Sequence, residues 1–250
     1  MRAAEPFDPG SAAEAVTEEL RLLGTPERAA GSKEYLKSDL EFYGVTVPDM
    51  RRVVTSAVRG YPGLDGAAVL AWAAALWRKP VFERRIAAVE LLQQAAAAGR
   101  LAGDDQLAAI EELIRDSRTW ALVDGLACNV AGVMARRHPA LSWPRIDAWA
   151  SDGDFWVRRS ALLALLPGIR WGKPDLARFT RYAESMIAES EFFIRKAIGW
   201  VLREIARRDP EFTAEWTENH LREMSGVTFR EAVRRLPVRE ADRLKSMRGR

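Results

Sequence analysis

The chain has 250 residues, 48% hydrophobic and 29% charged, the balance of a soluble globular protein of one large or two small domains, and this excludes whole-chain disorder. One cysteine, Cys128, and two histidines, His138 and His220, exclude an internal disulfide, a cysteine-based zinc site and a His-rich metal site. The net charge of +3 is unevenly spread: residues 1–49 hold five Lys/Arg against ten Asp/Glu, a balance of −5 that leaves +8 for residues 50–250.

The N-terminus, Met1-Arg2-Ala3-Ala4-Glu5-Pro6, lacks the apolar core of a secretory signal. Residues 1–14 read as a flexible, acidic extension, with Ser11-Ala12-Ala13-Glu14 as a capping box that opens the first helix. Helical spacing then predicts helices over 33–42, 48–59, 65–77, 80–97, 104–116, 119–137, 140–149, 154–166, 174–188, 191–208, 211–223 and 227–245, with a basic tail at 246–250. Proline or glycine falls between most of them, as at Pro48, Gly60, Pro80, Gly103, Pro139, Gly153, Pro167 and Pro210. Only Tyr43–Pro48 has the β-branched alternation of a strand, and it is short. The longest apolar run, Ala67–Trp77, stops at 11 residues, too short to span a bilayer. The protein is expected to be all-α and cytoplasmic.

An internal repeat runs through the chain. Phe82, Trp120, Trp156, Phe193 and Phe229 are spaced by 38, 36, 37 and 36 residues, and most precede an Ala/Leu/Val-rich helical face. A period near 37 with two helices per unit is that of a HEAT-like solenoid. The expected architecture is one continuous domain over 1–250, a right-handed α-α superhelix whose repeated helices line a basic concave face. Three positions after the aromatic stand Arg85, Arg159 and Lys196, a cationic track; in the Trp120 unit that place is Val123, followed by Asp124. An acidic residue in a basic track invites two readings: a functional anion, or a plain ion-pair partner for Arg159 or a helix cap. The cations of residues 50–250 are nearly all arginine, the residue that contacts phosphate bidentately. Arg84, Arg158, Arg195, Arg203, Arg230 and Arg234 are further candidates for phosphate contact.

Four segments carry a resemblance. Ser190-Glu191-Phe192-Phe193-Ile194-Arg195-Lys196-Ala197-Ile198-Gly199-Trp200-Val201-Leu202-Arg203-Glu204 resembles the late signature helix of the AlkD-like alkylpurine DNA glycosylases. In the same order, Glu34-Tyr35-Leu36-Lys37 with Tyr43–Pro48, Trp120-Ala121-Leu122-Val123-Asp124, and Ser151-Asp152 with Trp156-Val157-Arg158-Arg159 look like the family's other motifs. The resemblance spans about residues 15–236. It implies a catalytic role for Asp124, sugar contacts for Trp120 and Trp200, a catalytic-site arginine in Arg159, and a place near the lesion for Tyr35. The cationic track and the arginine-rich charge, rather than the resemblance, give the expected DNA contacts: Arg85, Arg158, Arg195, Lys196, Arg203 and Arg230. Ala121 and Thr119 depart from the family, which often has an acidic residue directly after the Trp and an aromatic beside it.

Such an enzyme would release N3- or N7-alkylated purines from duplex DNA as a monomer, with no metal or organic cofactor and no membrane partner, and would associate with the nucleoid when bound. The resemblance further implies cleavage while the base stays stacked. The alternatives are a HEAT-repeat module that binds damaged or branched DNA without cleaving it, and a protein-interaction scaffold. Trp72, Trp77, Trp143, Trp149 and Trp216 read as packing residues, Cys128 as a small buried hydrophobe, and His138 as a helix C-terminal residue.

Overall fold

A computed structural model of the chain describes residues 7–249. Its contacts gather into two compact units, one ending at Leu126 and one beginning at Ala127, and each is described by itself. Among the described residues no strand forms. Of the strand-like stretch, residues 43–46 are a connecting segment preceded by an isolated bridge between Glu41 and Val81, and Val47 and Pro48 already open a helix.

The first unit contains α1 (Pro9–Leu23), α2 (Pro26–Leu36), α3 (Val47–Arg59), α4 (Gly66–Trp77), α5 (Phe82–Ala97), α6 (Asp104–Ser117) and α7 (Trp120–Asp124). Helix α1 packs on α3 and α4, and α5 packs on α3, α4 and α7. The flexible extension expected through residue 14 gives way to ordered helix. Asp8 accepts the Ser11 amide at 2.6 Å and Pro9 supplies a pre-set φ, so α1 begins before the expected capping box and buries Ala12 and Ala13. Residues 1–6 lie outside the described residues.

The helix expected at 33–42 is also displaced. Thr25 caps α2 and Pro26 starts it, while Lys37 turns left-handed at φ 48° and ends it. Because α2 buries none of its residues, hydrophobic periodicity could not locate it. Beyond it, the buried Glu83 carboxylate accepts the amides of Tyr43, Gly44 and Val45 at 2.9, 2.7 and 3.2 Å. Gly44 is required there: its φ is 81°, and a Cβ would meet the Thr25 carbonyl oxygen at 2.1 Å. The chain is thereby pinned to the first turn of α5.

Residues Gly125–Ala131 wind as a π-helix, so the single helix expected over 119–137 is three segments. The second unit holds α8 (Gly132–Arg137), α9 (Pro139–Trp149), α10 (Phe155–Leu163), α11 (Leu166–Arg170), α12 (Leu176–Met186), α13 (Phe192–Ile205), α14 (Pro210–Asn219), α15 (Gly226–Ala232) and α16 (Val238–Arg248). The helix expected over 154–166 ends at Leu163, and α11 restarts through Pro167 at its first turn. The expected 227–245 helix breaks after a 3₁₀ turn, Val233–Arg235, where Pro237 cannot continue it. Residues 246–248, expected as tail, belong to α16, and Arg250 lies outside the described residues.

Four of the five repeat aromatics occupy the first or second position of their helices. Phe82 and Trp120 open α5 and α7, Trp156 and Phe193 are second in α10 and α13, and Phe229 is fourth in α15. Trp72, Trp77, Trp149 and Trp216 are buried, as is Cys128, and His138 is the C-cap of α8.

Candidate functional site

In the first unit the site is built on the short α7. Thr119 is its extended N-cap, and its carbonyl accepts the Leu122 and Val123 amides at 3.2 Å. The N-terminal cap position is therefore not Asp124, which closes the helix. Leu122 and Val123 turn inward, while Trp120 and Asp124, four residues apart, share one face. The next residue, Gly125, lies against α5: a Cβ would stand 2.7 Å from Val89 Cγ1, so only glycine seats the Asp124 end of α7 this closely. From the last turn of α2, the Tyr35 ring meets Trp120 edge-on, with centroids 6.0 Å apart and planes at 85°. Tyr35 stays 72% exposed. The fold thus brings Tyr35 and Trp120 together across 85 residues of sequence and sets Asp124 one turn from the indole.

Arg85 is held within the same unit. It pairs with Asp116 at 2.8 Å, donates to the Asp116 carbonyl at 3.1 Å and lies 4.9 Å from the Trp77 ring centroid. Burial lowers its pKa against the pull of Asp116. Arg84 is not a phosphate contact. It is 1% exposed and donates to Leu76 O, Ala75 O, Thr17 and Glu14, so no surface remains for a ligand.

In the second unit the cations form a paired ladder along α10, α13 and α15. Arg158 meets Glu189 at 2.7 Å and donates to Asp152 O at 2.6 Å; the Glu189 hydrogen bond raises its pKa. Arg195 Nε donates to Glu189 O at 2.7 Å. Glu231 lies 3.9 Å from Lys196 and also binds Arg203. Arg159 is buried and donates to Phe193 O at 2.6 Å. Arg230 is exposed, with no side-chain hydrogen bond or ion pair among the described residues. Trp200 is half-buried on α13, beside Gly199. That glycine marks the close crossing of α13 and α15, where a Cβ would stand 2.7 Å from Glu231 Cβ and 2.8 Å from the Thr228 carbonyl oxygen.

Sequence reasoning missed the carboxylates that hold these cations. Asp116 follows Arg85 by 31 residues, Glu189 follows Arg158 by 31 and Glu231 follows Lys196 by 35, so an acid just under one repeat downstream was the available signal. It also missed Trp171, which is exposed. Among the described residues no group of His, Cys, Asp and Glu gathers to hold a metal, and no helix is long and apolar enough to cross a membrane.

The chain as a whole is similar to known proteins. Residues 16–236 match the family model described as DNA alkylation repair enzyme. Among solved structures, a predicted DNA alkylation repair enzyme from Enterococcus faecalis superposes with a TM-score of 0.71 at 23% identity, covering 86% of this chain and 97% of its own. AlkD2 from Streptococcus mutans gives 0.63 at 15% identity over 92% of this chain and 100% of its own. The smu.31 protein of Streptococcus mutans UA159 gives 0.59 at 16%, over 90% and 100%. No curated protein sequence matches. At these identities the structures establish a shared fold, the AlkD-like arrangement of helical repeats. The family match spans nearly the whole chain, and on it the protein belongs to the DNA alkylation repair enzyme family.

Proposed function

We propose that the protein is a DNA glycosylase that hydrolyses the N-glycosidic bond of N3- or N7-alkylated purines in duplex DNA. The observation that carries this reading is the Tyr35–Trp120–Asp124 arrangement: an exposed aromatic edge on an indole, with a carboxylate one helical turn away. A purine alkylated at N3 or N7 is cationic and leaves as a neutral base, taking the electrons of the glycosidic bond. Positive charge then develops on the deoxyribose, so the enzyme needs a fixed anion and π-faces beside the sugar rather than a strong acid. Asp124 is that anion. Water adds to the sugar carbon and gives its proton to the carboxylate, leaving an abasic site. Trp120 offers its ring face to the oxocarbenium.

The family description, DNA alkylation repair enzyme, supports a role in alkylation repair for this chain, which is the setting this chemistry requires. The cations of α10, α13 and α15 supply charge for the phosphates, Lys196 and Arg230 being the exposed ones. Base excision without flipping, in a monomer, is part of the reading; flipping would instead require a closed pocket for the base. Lesions that leave as anions, such as uracil, are expected to be poor substrates, because no general acid serves the departing base. The test is single-turnover release of 7-methylguanine from duplex DNA by the wild type beside Asp124→Asn. Binding without base release by the wild type would favour a non-catalytic damage-binding module.

A further inference from the structure

Trp171 is 71% exposed although the Arg136 guanidinium lies 4.4 Å from its ring centroid. One ring face is backed by a cation and most of the rest meets solvent, a rare setting for the largest apolar side chain. It caps the end of α11, and Gly172 (φ 79°) turns the chain away from it.

The surroundings are cationic. Helices α8 and α13 both pack on α11, and Arg136, Arg170 and the Arg207-Arg208 pair lie at the C-terminal ends of these three helices. Arg208 donates to Arg170 O at 2.6 Å, and Lys173 stands exposed two residues after Trp171. Among the described residues the one carboxylate that pairs with this group is Glu204, 3.7 Å from Arg170 and 3.8 Å from Arg207. Arg136 Nε is buried without a hydrogen-bond partner. Cations at helix C-termini answer the helix dipole, but that accounts neither for an open indole nor for five cations against one carboxylate.

We infer that this edge of the second unit, centred on Trp171, is a binding site for an unpaired DNA strand. An indole face takes a base by stacking and the flanking cations take its phosphates. In a duplex both faces of a base are already covered by its neighbours, so an open Trp selects unpaired DNA, whereas the cations alone would serve either form. The site stands apart from the excision reading, and its test uses no lesion.

Fluorescence anisotropy with labelled oligothymidylate and with an undamaged duplex decides it, using the full chain. Wild type binds the single strand with steep salt dependence. Trp171→Ala weakens that binding about tenfold and Trp171→Phe restores part of it, with duplex affinity and Tm unchanged. The double charge reversal Lys173→Glu/Arg208→Glu weakens single-strand binding and flattens its salt dependence. Wild-type affinity in Trp171→Ala, or an equal loss on duplex, overturns the inference. So does binding of this edge to phosphatidylserine vesicles with none to oligothymidylate.

Discussion

Arg159 and Phe193 are joined twice: the guanidinium donates to the Phe193 carbonyl at 2.6 Å and lies 5.8 Å from its ring centroid. At 3% exposure Arg159 is a fixed charge rather than a mobile arm. Arg159→Glu would bury a carboxylate against that carbonyl oxygen and is expected to cost roughly 3 kcal/mol or more. Lys196→Glu, on an exposed side chain, should leave the fold intact and weaken DNA binding for all sequences alike. Thermal melts beside binding isotherms separate the two; an unchanged Tm in Arg159→Glu would contradict its buried role.

Asp124→Asn keeps size and removes charge. With an oxocarbenium beside that charge, excision should fall by about 10²-fold or more, on the order of 3 kcal/mol. DNA affinity should hold or rise, since an anion facing phosphates has gone. Equal single-turnover rates at saturating protein would reduce Asp124 to a structural residue.

Trp120→Ala should slow excision, and Trp120→Phe should recover part of the rate by keeping a ring face. Tyr35→Ala removes an edge-to-face contact worth about 0.5–1.5 kcal/mol, so it should loosen Trp120 and lower the rate less than Trp120→Ala. The wild-type rate in all three variants would detach this pair from catalysis.

Glu231 neutralises Lys196 and Arg203 from one carboxylate. Glu231→Gln releases both, so duplex affinity should rise severalfold and the salt dependence steepen by up to about 0.9 per phosphate gained. A weaker complex would mean that Glu231 instead orders these cations for binding.

At Asp147 burial opposes ionisation, but hydrogen bonds from Arg178 and Tyr182 and the charges of Arg178 and Arg181 outweigh it and hold the carboxyl below the usual carboxylate range. A depressed folded pKa stabilises above the unfolded value and is lost as pH falls through it. The contribution is therefore full at neutral pH and drains away below about pH 4. Asp147→Asn should lower Tm at neutral pH and show less further loss on acidification. Parallel pH–Tm curves for both proteins would refute this.

Much of the helical framework was legible because it follows from periodicity: the five aromatics spaced near 37 residues all fall in helices of the fold, four of them at the first or second position. Helix α2 was misplaced because it buries nothing, although Thr25-Pro26 carried its start in plain form. The candidate site was legible only through motif resemblance. Nothing in composition joins Tyr35 to Trp120, and the glycines that matter, Gly125 and Gly199, are set by what a Cβ would strike on a neighbouring helix.

Glu83 reaches back 40 residues to hold the amide of Tyr43. During vectorial synthesis the corner after α2 emerges first, and its amides stay bonded to water until Glu83 has left the ribosome. A product truncated before α5 would expose that corner to quality-control proteases. The turn that follows the Tyr35 helix is therefore fixed late, by a carboxylate 40 residues downstream of the amide it holds.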